Sequence, residues 1–214
     1  RERGIYLIED AAQAHGASQV MLDGSELVAG SMGDLGCFSF FPSKNMAVGG
    51  EGGMLTTTVE ELTDAVSLVV NHGRSPSLES MQLGSNLRMS EVSAAIGTVQ
   101  LSHLDSWVER RREIAEIYHQ AFVDHPLLDT PNVRPGAKHA WHQYCLSTEY
   151  PDELVTHLDQ HGIDARRYYV TPCHRQNVFA KHPQHGQVLP VTATLSSTLV
   201  AIPVMHELRD DEIE

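Results

Sequence analysis

Lys44 is one of three lysines in the 214-residue chain, with Lys138 and Lys181, and it alone sits in a run that reads as a built site. That run is Phe38-Ser39-Phe40-Phe41-Pro42-Ser43-Lys44-Asn45, followed by Gly49-Gly50-Glu51-Gly52-Gly53. An apolar strand that ends in Pro and meets a glycine-rich turn fixes an amine on rigid backbone, partly withdrawn from water. This is the setting of a lysine that attacks a carbonyl to form a Schiff base. A lysine on an arbitrary loop is ordinarily a solvated surface charge, and here the neighbours favour the chemical reading. Upstream, Ile5-Tyr6-Leu7-Ile8-Glu9-Asp10 is an apolar run that delivers Asp10 at its C-terminal end, where open α/β sheets bind ligands. A carboxylate there can hold a protonated pyridine nitrogen, so that the ring of pyridoxal phosphate acts as an electron sink for a carbanion beside the imine carbon. Taken alone, Asp10 ahead of Ala-Ala-Gln-Ala reads first as a helix N-cap. Gln13 stands where it can contact the ring, and Ser39 where it can donate to the phosphate.

The elements that must position these residues follow from periodicity. Apolar runs at 5–8, 35–41 and 54–57 predict strands bounded by Gly4, Gly36 and Gly53. Thr58 followed by Glu61 resembles a capping box, after which Leu62, Ala65, Val66 and Val69 share a helical face. Helical spacing resumes from Ser90 through Ala94, Ala95, Ile96 and Val99, and a longer helix is expected over 104–123. It carries Arg110, Arg111 and Arg112, which read as a solvated face. Alternating strands and helices give an α/β class. Beyond His125-Pro126 a smaller unit is expected, with a strand at 143–147, a helix at 152–160 ended by Gly162, and a strand at 163–168. The domains are therefore drawn at 1–125 and 126–214.

Several motifs in order resemble the DegT/DnrJ/StrS family of pyridoxal-phosphate sugar aminotransferases. They are Ile8-Glu9-Asp10-Ala11-Ala12-Gln13-Ala14-His15-Gly16-Ala17, Gly33-Asp34 before Phe38-Ser39-Phe40, Lys44-Asn45 with Gly50-Glu51-Gly52-Gly53-Met54, Asn71-His72-Gly73, and Gly84-Ser85-Asn86-Leu87-Arg88-Met89. The resemblance implies a fold type I aminotransferase in which 1–125 is part of the large cofactor domain and 126–214 a small α+β C-terminal domain. It implies that Asp10 pairs with the pyridinium nitrogen, Gln13 packs on the cofactor, Ser39 binds its phosphate and Lys44 carries it as a Schiff base. Asn86 is similar to a family residue that reaches the phosphate of a neighbouring subunit in a homodimer, and Arg88 beside it and His174 are expected to contact substrate. Family members place about half of the cofactor domain ahead of the Asp10 strand, including a phosphate-cradling loop, so the chain is expected to be a fragment of a longer enzyme. After Ile163 the chain reads Arg166-Arg167-Tyr168-Tyr169-Val170-Thr171-Pro172, where many members have a His-Tyr pair.

The implied activity is amino transfer, with glutamate as donor and a nucleotide-linked keto sugar as acceptor, by a ping-pong route. Three other readings stay open: a sugar dehydratase, an inositol-type aminotransferase, and a non-catalytic regulatory module on the same fold. Family dehydratases have histidine where this chain has Lys44, which favours transamination. A net charge of −13 argues against nucleic-acid binding. Three scattered cysteines indicate neither disulfides nor zinc. The pairs His139/His142 and His182/His185 lack a carboxylate to complete a metal site. No apolar run approaches membrane-spanning length, and a cytoplasmic location is expected.

Overall fold

A computed structural model describes residues 3–213. The chain forms two compact units, one running up to Arg110 together with Val133–His142, the other comprising Arg111–Asn132 and the chain from Gln143 onward. The elements of the first stretch are β1 (Ile8–Asp10), β2 (Ser18–Val20), β3 (Glu26–Val28), β4 (Leu35–Ser39), β5 (Gly53–Thr56), α1 (Glu60–Val70), α2 (Glu91–Leu101) and α3 (Leu104–Phe122). Then follow β6 (Ala137–Lys138), β7 (Tyr144–Ser147), α4 (Pro151–Gln160), α5 (Pro190–Thr198), β8 (Leu199–Ile202) and α6 (Asp210–Ile213).

In the first unit β4 is central in a three-stranded sheet of order β1-β4-β5, parallel to β1 and antiparallel to β5. Asp10 registers with Cys37, and Ser39 with Gly53. The first strand is shifted relative to the sequence expectation. Residues 5–7 stay outside the ladder, and Leu7 is held instead by Asp34, whose N–H donates to the Leu7 carbonyl at 2.8 Å and whose Oδ2 accepts the Leu7 N–H at 2.9 Å. Glu9 fastens the turn ahead of β4: its carboxylate accepts the N–H groups of Gly30, Met32 and Gly33 at 2.8, 2.5 and 2.6 Å. Gly36 is dictated by close approach, since a Cβ there would lie 2.3 Å from the Gly30 carbonyl oxygen. Among the described residues β1 has β4 as its one neighbour, and Ile8 is 62% exposed.

A second sheet, β3-β2-β6, is wholly antiparallel. Its hairpin turns at Asp23-Gly24, where Asp23 Oδ1 accepts from the Ser25 N–H and hydroxyl and Gly24 has φ +85°. The sequence pattern did not signal it, because its strands are only two or three residues long and half of their residues are polar. Below the Lys44 loop lies a core of Phe40, Met46, Val48, Leu104, Val108 and Ala140. Three of these belong to the loop between β4 and β5, and each fully buried apolar side chain contributes about 1.5–3 kcal/mol. That loop is consequently a packed element rather than a solvated connection.

The helix starts are partly as expected. Ser90 caps α2 by accepting the Ser93 N–H at 3.1 Å. The Thr58/Glu61 capping box does not form. Helix α1 is preceded by Val59 as N-cap, without a side-chain cap, and Val59 N–H donates to Thr57 Oγ1 at 3.0 Å. Thr57 also donates to the Asp34 carbonyl, so the chain turns one residue later and Glu61 falls short of the position from which it would reach back.

In the second unit β7 and β8 pair antiparallel over a core containing Ile114, Tyr118, Tyr144, Leu146 and Val200. Arg111 departs from the solvated-face expectation: it is 6% exposed and donates to the Val204 carbonyl, 93 residues away. Burial lowers its pKa, opposed by the negative charge of Glu207. Residues 163–168 do not form the expected strand. A single bridge joins Arg166 to Ala201, exchanging hydrogen bonds of 2.9 and 2.7 Å, and no ladder continues from it.

Candidate active site

The C-terminal ends of the parallel strands β1 and β4 gather the first group of sequence-predicted residues. Asp10 closes β1, and Ser39 closes β4 two residues beyond Asp10's partner Cys37. Asp10 does not cap a helix, the alternative its sequence context offered; two consecutive turns occupy 11–16. Asp10 Oδ1 accepts the Ala12 N–H at 3.1 Å, which fixes the carboxylate at the strand end. The side chain remains exposed, and Oδ2 meets no protein partner among the described residues. Ser39 Oγ accepts the Phe41 N–H at 3.3 Å, leaving its hydroxyl proton available. Gln13 is exposed in the turn after Asp10.

Lys44 lies in the packed loop, its N–H donating to the Phe41 carbonyl at 2.9 Å. Its side chain is half-buried, and Nζ makes no hydrogen bond or ion pair among the described residues. The next residue supplies the rigidity. Asn45 is buried, Nδ2 donates to the Ala140 carbonyl at 2.8 Å, and Oδ1 lies 3.3 Å from His142 Nδ1. On the loop's other flank, Ala47 N–H donates to Gln100 Oε1 of α2 at 2.8 Å.

His15, which the sequence allowed as either a cofactor contact or a packing residue, is 3% exposed, with its ring centroid 5.3 Å from that of Phe38 and 5.9 Å from that of Phe40. Neither ring nitrogen has a well-formed hydrogen bond, although the Ser39 backbone lies near enough to act on the ring. Burial pushes its pKa below the ordinary histidine value; the Ser39 backbone opposes this, and the charge of Lys44 adds to it. Asn86 and Arg88 are exposed and bond to each other, Arg88 Nε donating to Asn86 Oδ1 at 3.0 Å, while Asn86 bridges Asn71. No hydrogen bond joins them to Asp10, Ser39 or Lys44 among the described residues. His174 belongs to the second unit, in the 3-10 turn Cys173–Arg175, with Nε2 buried and without a partner.

A fixed carboxylate with one oxygen open and a free hydroxyl at the ends of two neighbouring strands, with an unpaired amine in the loop that follows the second, suit a phosphorylated pyridine aldehyde. A family model for DegT/DnrJ/EryC1/StrS aminotransferases matches residues 1–214. The chain belongs to this family. Its members are pyridoxal-phosphate enzymes. The chain is 35% identical over its whole length to a UDP-N-acetyl-3-dehydro-alpha-D-glucosamine 3-aminotransferase of Acidithiobacillus ferrooxidans, covering 56% of that protein. It is 34% identical to a pleiotropic regulatory protein of Geobacillus stearothermophilus over 99% of this chain and 56% of the relative. Among solved structures, Streptomyces venezuelae DesV, determined with a ketimine intermediate, superposes with a TM-score of 0.92 at 31% identity over 99% of this chain and 56% of that one. The chain thus spans just over half the length of these relatives. The α/β, fold type I expectation agrees with these neighbours. Among the described residues no helix is long and apolar enough to cross a membrane.

Proposed function

We propose that this DegT/DnrJ/EryC1/StrS chain belongs to a pyridoxal-phosphate aminotransferase that moves an amino group from glutamate to a keto sugar linked to a nucleoside diphosphate. The observation that carries the reading is the unpaired Lys44 amine, in a loop anchored by Asn45 that leaves the strand paired with the one ending in Asp10. Bound there, the cofactor supplies an electron sink that stabilises negative charge on the carbon losing its proton.

The residues divide the remaining work. Asp10 keeps Oδ1 on the Ala12 N–H and offers Oδ2 to the ring nitrogen proton, which holds that proton in place. Ser39 donates its free hydroxyl to the phosphate, and Gln13 packs on the ring. Lys44 Nζ takes the α-proton of glutamate in the first half-reaction and supplies a proton to the sugar carbon in the second. Asn86 reaches the phosphate of a second copy in a homodimer, and Arg88 and His174 contact substrate. In this reading residues 1–125 are part of the cofactor domain, 126–214 form the smaller domain, and the enzyme is cytoplasmic.

Initial rates test the proposal. Varying glutamate against a UDP- or dTDP-linked keto sugar should give parallel double-reciprocal lines, because one product leaves before the second substrate binds; intersecting lines contradict it. The Geobacillus relative's name favours a second reading, a regulatory protein on the same scaffold. A complete protein that binds the cofactor, yet whose visible absorbance is unmoved by glutamate, would support that alternative.

A further inference from the structure

The charge pattern of the second unit singles out a segment that the chemistry above does not use. No acidic residue occurs between Asp164 and Glu207, in a chain with 28 Asp and Glu and a net charge of −13. At the average acidic density of the chain, a stretch of this length would contain several. The same stretch holds Arg166, Arg167, Arg175 and Lys181. Two of these cations serve the fold. Arg166 pairs with Asp164 at 3.1 Å. Arg167 holds Asp152 Oδ1 at 2.7 Å and the carbonyls of Ser196 and Ser197 at 3.3 and 2.8 Å, clamping α4 to the end of α5.

Arg175 and Lys181 are different. Both are exposed, and neither side chain makes a hydrogen bond or ion pair among the described residues. They are carried on a run of tight turns: Arg175 N–H donates to Pro172 at 2.9 Å, Phe179 to Gln176 at 2.9 Å, and His182 to Phe179 at 2.8 Å. Gln176 Nε2 ties the run back to the Thr171 carbonyl at 2.9 Å. Between the two cations Val178 and Phe179 stay 83% and 45% exposed. On a strongly acidic protein an anionic ligand is repelled by most of the surface and concentrated wherever cations stand without carboxylates. Unpaired guanidinium and ammonium groups bind phosphate oxygens by charge-assisted hydrogen bonds. Phe179, between them in sequence, meets the His182 ring edge-on at 6.3 Å between centroids and stays 45% exposed, and an exposed aromatic side chain is a surface on which a nucleobase stacks.

We propose that Arg175 and Lys181 hold the diphosphate of the acceptor and that Phe179 lies against its nucleobase. This rests on the nucleotide-linked acceptor reading and assigns where that acceptor is gripped.

The test is calorimetric titration of the complete, cofactor-loaded protein with UDP, dTDP and inorganic pyrophosphate. Arg175→Ala and Lys181→Ala should each weaken UDP about 10-fold or more, with a shallower salt dependence, and Arg175→Lys should recover part of the loss. Phe179→Ala should weaken UDP but leave pyrophosphate unchanged. The glutamate-driven change in cofactor absorbance should keep its wild-type rate in all of these variants, because glutamate carries no diphosphate. If the cation variants bind UDP as the wild type does, the inference is overturned while the nucleotide-sugar reading stands. If wild-type protein binds neither UDP nor dTDP, the acceptor reading itself is wrong and this inference falls with it.

Discussion

Asn45, adjacent to Lys44, is 2% exposed and spends its amide on two contacts, Nδ2 to the Ala140 carbonyl at 2.8 Å and Oδ1 to His142 Nδ1 at 3.3 Å. Replacing it with Ala leaves a buried carbonyl without its donor, which costs about 1–3 kcal/mol, and removes a second contact worth about 1 kcal/mol. The expected loss is therefore about 2–4 kcal/mol, or a Tm lower by roughly 5–15 °C for a protein of this size. Asn45→Asp should be worse than Asn45→Ala, since it sets a carboxylate oxygen against the Ala140 carbonyl and buries a charge. Urea unfolding of the complete protein, with unchanged denaturant slope, is the appropriate assay. Because the same loop presents Lys44, Asn45→Ala should also retain the cofactor less tightly. An Asn45→Ala protein within about 0.5 kcal/mol of wild type, the range of ordinary surface substitutions, or an Asp variant more stable than the Ala variant, would refute the anchoring argument.

Other expectations follow from single contacts. Asp10→Asn keeps an acceptor for the Ala12 N–H, so stability should hold, while loss of the negative charge should lower transamination about 100-fold or more; steady-state rates decide this. Arg111→Ala should destabilise by about 3 kcal/mol, because it empties a buried site and leaves the Val204 carbonyl without this donor; a thermal shift below about 2 °C is incompatible with that estimate. His15 gives a pH dependence. Its folded pKa is depressed from 6.5 by burial, so as pH falls below that value the unfolded chain binds a proton that the folded chain refuses until lower pH. Stability should fall over this window, and His15→Phe should flatten the fall; equal slopes for both proteins in acid unfolding would contradict it.

What could be read from the sequence was local. The Lys44 run, the helical spacing that begins at Ser90, the apolar run at 35–41, of which 35–39 form β4, and the Gly162 helix stop depend on neighbours a few residues apart, and the chain's pattern carries them directly. The exceptions needed distant partners. Arg111 looks like one of three solvated arginines until Val204 is brought to it, and the 163–168 segment looks like a strand until it finds only one bridge partner. The β3-β2-β6 sheet was silent because strands of two or three residues are too short to show an alternation. At the site, residue types announced Asp10, Ser39 and Lys44, but not what holds them. Glu9 as triple acceptor for the turn before β4, and Asn45 as anchor to Ala140, emerge only from long-range hydrogen bonds. The capping box failed by a single residue, a shift that competition for Thr57 explains and that spacing alone does not.

The central claim is that the Lys44 amine is the group that binds the cofactor aldehyde. Incubating the complete protein with pyridoxal phosphate, reducing with borohydride and mapping the modified peptide by mass spectrometry tests it directly. The adduct should lie on Lys44 and vanish in Lys44→Ala. An adduct on Lys138 or Lys181, or one that survives the substitution, would contradict the account.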